Sequence, residues 1–159
     1  MRHDDVPGLV TAMIDRSILG HVYPPRPIAV ERGAIAFFAR ATGETNPIHF
    51  DMAAAQAAGY TDVVAPATFV FSLNSMAWGN QLWVEDLKVD LSRILHAEQH
   101  FEPHRPVIAG DRLAFTSTIA DLYAKKGGAL EFVVQETLAR GAAGELVAKL
   151  KTVLAVRHG

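Results

Sequence analysis

The chain has 159 residues, half of them hydrophobic and a fifth charged, with a formal net charge of −2. That composition suits one folded domain with a sizeable core and argues against disorder, and the near-neutral charge offers no basic field for nucleic acid. There is no cysteine, so disulfides, thiol nucleophiles and cysteine-ligated metals are excluded.

The start, Met1-Arg2-His3-Asp4-Asp5, leads into no secretory apolar segment. No apolar run approaches the roughly 20 residues of a membrane helix. A cytoplasmic protein without membrane contact is the expectation. Val10 to Ile18 reads as a short amphipathic stretch ended by Gly20. Pro24, Pro25 and Pro27 then force extended chain, and Ile28-Ala29-Val30 reads as a short strand. Glu31 to Thr42 predicts a helix with Ile35, Phe38, Ala39 and Thr42 on one face and Gly43 as its stop. Asp51 is placed to cap a second short helix, Met52 to Ala58, closed by Gly59.

The third predicted helix, Ala67 to about Trp78, is apolar nearly all round and opens after Pro66. A helix of that kind is usually buried, so it is the expected core helix. Trp78 and Trp83 either line a channel beside it or simply pack there. The second half of the chain changes period. From Asp111 to Tyr123, Leu113, Phe115, Ser117 and Ile119 alternate onto one face, and Lys125-Lys126-Gly127-Gly128 signals a hairpin. Leu130, Phe132 and Val134 then continue the apolar face. Leu146, Ala148, Leu150, Leu154 and Val156 form a last inner face opposite Lys149 and Lys151. Long antiparallel strands after one buried helix suggest a curved sheet wrapped around that helix. His96, His100 and His104, spaced by four on a strand, would share a face, but no carboxylate or fourth ligand is obvious, surface histidines are commoner, and no metal site is assigned.

The chemistry-bearing run is Gly43-Glu44-Thr45-Asn46-Pro47-Ile48-His49-Phe50-Asp51. It places a carboxylate and an imidazole five residues apart in a turn-rich segment between two helices. Folded back, both side chains can address one water molecule, and such a pair can add water to an activated double bond or remove it.

The stretch Phe37 to Asp51 resembles the hydratase motif of the MaoC-like hydratases and dehydratases, which include the (R)-specific enoyl-CoA hydratases. His104-Arg105-Pro106-Val107 with Gly110-Asp111 is similar to that family's "RPV…GD" segment. Val64-Ala65-Pro66-Ala67-Thr68-Phe69 is similar to a variant found in its amino-terminal dehydratase-type branch. The resemblance implies an α+β hot-dog fold, an antiparallel curved sheet around a central buried helix, as a single domain over residues 1–159. It implies Glu44 and His49 as the catalytic, water-handling pair and Asn46 as the residue that holds their turn. It further implies the backbone N–H of Ala67 as the donor to the thioester carbonyl, and Ser75, eight residues further, as a substrate-site serine. The family usually carries Asp where this chain has Glu44, and His-Gly where it has Pro66-Ala67.

The implied activity is a hydro-lyase, a hydratase or 3-hydroxyacyl dehydratase acting at the double bond of a 2-enoyl thioester of coenzyme A or acyl carrier protein, in fatty acid metabolism, with no cofactor and no metal. A homodimer or higher assembly, or a heterodimer with a related hot-dog subunit, follows from the same resemblance. Two alternatives stand beside it. One is a non-catalytic acyl-binding subunit of a heteromeric dehydratase. The other is a hot-dog thioesterase, which would release free thiol.

Overall fold

In chain order the regular elements are β1 (Arg26–Ala29), α1 (Arg32–Ala41), α2 (Met52–Ala57), α3 (Phe69–Trp78), β2 (Ile94–Pro103), β3 (Arg112–Lys125), β4 (Leu130–Arg140) and β5 (Leu146–Arg157). They come from a computed structural model that describes residues 13–79 and 83–158. The strands form one antiparallel sheet in the order β1-β3-β4-β5-β2. Pro27 sits opposite Ala114 on the edge strand β1, where a missing N–H is tolerated. α1 has Glu31 and Thr42 at its ends, as its sequence predicts, and buries Ile35 and Ala39. Of the amphipathic stretch expected over Val10 to Ile18, residues 10–12 lie outside the described residues. Arg16–Ile18 is only a 3₁₀ turn, because Asp15 caps it and Gly20 donates at once to the Ile119 carbonyl of β3.

α3 lies against the inner face of the sheet, touching two apolar clusters. Phe69, Val70 and Leu73 pack with Leu113, Phe115, Ala139, Val147, Ala148 and Leu150. Trp78, at its far end, packs with Tyr23, Ile119, Leu122, Val133 and Val156. This is the hot-dog arrangement, a sheet wrapped around one helix. Two expectations need correction. The first concerns α3, which is not buried all round: Met76 is 51% exposed and Ser75 is exposed beside it. Among the described residues nothing covers that flank of this apolar helix.

The second correction concerns β4, whose inner face is Glu131, Val133, Gln135, Thr137 and Ala139, while Leu130 and Phe132 are half-buried on the other side. The inner polar residues Glu131 and Thr137 are held in by partners remote in sequence. Glu131 accepts from the Ile14 N–H at 2.8 Å and lies 2.6 Å from His158 Nε2. Thr137 shares a 2.7 Å hydroxyl bond with Ser117, directly opposite it on β3. Because strand side chains alternate, that pairing fixes which set faces inward.

The histidines of β2 are also rearranged. A bulge between His96 and Glu98 shifts the register. His96 therefore stacks beside Phe71 of α3, with ring centroids 5.5 Å apart, while His100 pairs with Glu98 at 3.0 Å.

Candidate functional site

The site begins where α1 stops. Gly43 adopts φ +77°, and its N–H donates to the Arg40 carbonyl at 3.2 Å while the Glu44 N–H donates to the Ala39 carbonyl at 2.8 Å. This paired closure reverses the chain at the end of α1, and the left-handed conformation suits glycine. Asn46 then caps a 3₁₀ turn, Pro47–His49, its side-chain oxygen accepting from the Ile48 N–H at 3.2 Å. The N–H groups of Phe50 and Asp51 both donate to the Pro47 carbonyl. Asp51 in turn accepts from Ala53 and Ala54 at 2.6 and 3.1 Å, starting α2. His49 is thus fixed between two capped turns.

Its imidazole is buried and its orientation is set by a carbonyl. His49 Nδ1 lies 2.6 Å from the Val64 carbonyl oxygen. A carbonyl only accepts, so Nδ1 carries the proton and the neutral ring keeps its lone pair on Nε2. Nε2 faces Glu44 Oε2 at 3.9 Å. That gap is too long for a direct hydrogen bond, yet both atoms can bond the same water oxygen. Glu44 is the more open of the two, its side chain 41% exposed against 10% for His49.

Val64 belongs to a short segment stitched to the chain around Val107. Its N–H donates to the Ile48 carbonyl at 3.0 Å, and the Ala65 N–H donates to the Val107 carbonyl at 2.8 Å. This segment leads directly into α3 and forms one wall of a hollow of about 390 Å³. Ala65, Pro66, Ala67, Val70, Val107 and Ala148 supply its apolar lining. α3 begins two residues later than its sequence predicts, with Ala67 and Thr68 in a tight turn before it. Ala67 is exposed, and among the described residues nothing accepts its N–H. A free N–H at a helix start carries a favourable partial positive charge for an oxyanion.

Glu44, His49 and Asn46 are therefore brought together, and the segment that holds His49 also carries Ala67. Ser75 stands apart. Its hydroxyl donates to the Phe71 carbonyl at 3.2 Å, and it lines a second hollow further along α3. No hydrogen bond joins it to Glu44 or His49 among the described residues. Trp78 lines that second hollow, with the Arg26 guanidinium 3.9 Å from its ring centroid; the Trp83 side chain lies outside what is described. No three His, Asp or Glu side chains gather as a metal site among the described residues.

The "RPV…GD" segment has a structural explanation. Arg105 reaches Asp111 at 2.7 and 3.4 Å and Glu145 at 2.9 Å, and Asp111 also accepts from the Ile108 N–H at 3.0 Å. The Asp111 carboxylate, followed by Glu145, holds the Arg105 guanidinium above its ordinary value, and Arg105 holds the Glu145 carboxyl below its own. This clamp supports the rim of the first hollow. The functional candidates that sequence reasoning missed are Asn74 and Gln135. Their signal was a lone amide in an apolar helix and a polar residue at an inner strand position.

The sheet wrapped around one helix, with a carboxylate and an imidazole facing each other on a turn tied to the segment that leads into that helix, is the arrangement expected of a hot-dog hydratase or dehydratase. The family comparison agrees on the class. A family model described as "FAS1-like, dehydratase domain region" matches residues 17–150. The chain belongs to this family of MaoC-like hot-dog dehydratases and hydratases. It is 42% identical over 145 residues to a "UPF0336 protein" of Streptomyces avermitilis, covering 91% of this chain and 95% of that one. Among solved structures, it is similar to a chain of the HadBC (3R-hydroxyacyl-ACP dehydratase) complex from Mycobacterium tuberculosis. The TM-score there is 0.74, with 32% identity, 87% of this chain and 96% of the other. The fold alone is shared with the R-hydratase PhaJ1 of Pseudomonas aeruginosa, at 20% identity and TM-score 0.68, over 89% of this chain and 83% of that one. Among the described residues, no helix is long and apolar enough to cross a membrane.

Proposed function

We propose that the chain is a hydro-lyase that adds water to, or removes it from, the double bond of a 2-enoyl thioester carried on coenzyme A or acyl carrier protein. The observation that carries this reading is the His49 ring, turned by the Val64 carbonyl so that its basic nitrogen faces Glu44 across 3.9 Å. In the hydration direction Glu44 and His49 Nε2 hold one water. His49 takes its proton as the oxygen bonds to C3 of the substrate. The electron pair of the double bond moves to the thioester oxygen, where the Ala67 N–H meets the developing charge. The proton returns to C2 through Glu44, so one H and one OH are added in all. An aligned acid–base group of this kind contributes about 10²–10⁴-fold.

The thioester's acyl chain would run from Ala67 along α3 in the groove that Val70 and Ala148 line. The uncovered flank of α3 at Ser75 and Met76, and the exposed Leu95 and Phe101 on edge strand β2, suit coverage by a second hot-dog subunit. A dimer is therefore part of the reading. Assay of the pure chain on crotonyl-CoA tests it: loss of the enoyl thioester without thiol release is expected, and His49→Ala should lower the rate about 10²-fold or more.

A second reading is a non-catalytic acyl-binding subunit. It is favoured by the similarity to a chain of the two-subunit HadBC complex. A chain inert alone, yet binding crotonyl-CoA, would support it.

A further inference from the structure

Beyond the first hollow, α3 and β5 border a second, of about 130 Å³. Val70 and Ala148 line the first; Asn74 and Thr152, each four residues on, line the second. Residues four apart share a face on a helix and on a strand. The two hollows therefore follow one another along a single seam between α3 and the inner face of β5.

The second hollow has polar walls. Asn74, Trp78 and Gln135 are only 5%, 6% and 1% exposed. Asn74 Oδ1, Trp78 Nε1 and Gln135 Nε2 have no hydrogen-bond partner among the described residues. Buried polar groups are normally paired, and the neighbours here are: Thr152 donates to Gln99 at 2.8 Å, and Ser75 to the Phe71 carbonyl. The unpaired set is one acceptor and two donors. Among the described residues no carboxylate, lysine or arginine lines the hollow, and His96, which does, is hydrogen-bonded to Gln99 at 3.2 Å, so it suits an uncharged group. A hydroxyl donates once and accepts twice, and so matches the set. A ketone oxygen would leave Asn74 unmet, and a methylene would leave all three.

We propose that the protein accepts acyl chains bearing an alcohol oxygen, with the hydroxyl lodged between Asn74, Trp78 and Gln135. This rests on the thioester reading above and names its substrate class. At 1.5 Å per residue, Asn74 lies about 10 Å and Trp78 about 16 Å along the helix from Ala67. That is the reach of a medium-length chain hydroxylated at or near its end.

Titration calorimetry on the pure protein reads the hollow without requiring turnover. The ligands are octanoyl-, decanoyl- and dodecanoyl-CoA, each against its ω-hydroxy counterpart. At least one hydroxylated chain should bind about tenfold tighter than its plain partner. Gln135→Leu and Asn74→Leu should each invert that preference. Thermal unfolding checks that the variants fold, and Gln135→Met and Asn74→Met replace any that do not. Plain chains binding as tightly as hydroxylated ones, or a preference that survives both variants, overturns the proposal and leaves a hollow for water only. A hydroxyl preference in a protein that fails to hydrate crotonyl-CoA sinks the hydratase reading and leaves this site standing. If no acyl-CoA binds at all, the hydroxyl site falls together with the coenzyme A form of the thioester reading.

Discussion

The two hollows along α3 share a helix and a strand but differ in their walls. The first, at the helix start, is built from Ala65, Pro66, Val70, Val107 and Ala148, with a free backbone N–H at Ala67 and with His49, which faces Glu44, held by the Val64 carbonyl of the same wall. The second, four residues further along, sets the unpaired amide atoms of Asn74 and Gln135 and the indole of Trp78 beside Ser75, His96 and Thr152, which have hydrogen-bond partners. In the proposed reading reactivity belongs to the first, because the wall segment that carries the free Ala67 N–H also orients His49 through the Val64 carbonyl. Selectivity is proposed for the second, because unpaired buried polar atoms discriminate between ligands that do and do not satisfy them. Changes at the first should therefore move rates, and changes at the second should move ligand preference and stability.

The largest effects are expected at the Glu44–His49 pair and the turn that carries it. Glu44→Gln keeps the shape and removes the ionisable group, so hydration of crotonyl-CoA should fall to background in a steady-state assay. Glu44→Asp draws the carboxylate back by about 1 Å from a 3.9 Å gap and should lower the rate by up to about 10²-fold. A rise in activity with Asp would mean that this backbone is not set for the longer side chain. Gly43→Ala forces a side chain into a residue at φ +77°. It should lower stability by about 1 kcal/mol and reduce the rate disproportionately, because Glu44 follows it directly. Gly43→Asn, which tolerates that conformation, should restore much of both.

At the second hollow, Gln135→Leu replaces an unpaired buried amide with an apolar side chain of similar size. The melting temperature should rise, by the equivalent of about 1 kcal/mol. A fall would show that the amide is satisfied in solution. The smallest effect concerns the clamp at the rim. Arg105 holds the Glu145 carboxyl below its ordinary value of 4.5. A depressed folded-state value gives stability that is present above pH 4.5 and lost as the pH falls through the folded value. Melting curves of the native protein and Glu145→Gln should differ slightly at neutral pH and converge in acid.

What was legible in the sequence follows the range of the interactions. The α1 stop at Gly43, the Asn46 and Asp51 caps and the turn that carries His49 are decided by residues within a few positions of one another, and the sequence shows them. The inner face of β4 lies one residue out of step with the alternation of Leu130, Phe132 and Val134. Its polar residues are held inside by Ile14, Ser117 and His158, and the nearest of these lies 20 positions away. The bulge that turns His96 away from the face of His100 is likewise a product of pairing with β5. The exposed flank of α3 was hidden because apolar residues on every side of a helix signal burial without saying which chain provides it. Gln135 and Asn74 could be seen as misplaced amides, but only the fold shows that both line one hollow.

The central claim is that the Glu44–His49 pair adds water at an enoyl thioester. The most direct measurement incubates pure native protein and its His49→Ala variant with crotonyl-CoA, following the enoyl chromophore and free thiol together. The account predicts loss of the chromophore with formation of 3-hydroxybutyryl-CoA, no thiol release, and a rate about 10²-fold or more lower in the variant. Equal rates in the two proteins, thiol release in step with substrate loss, or an inert native chain would contradict it.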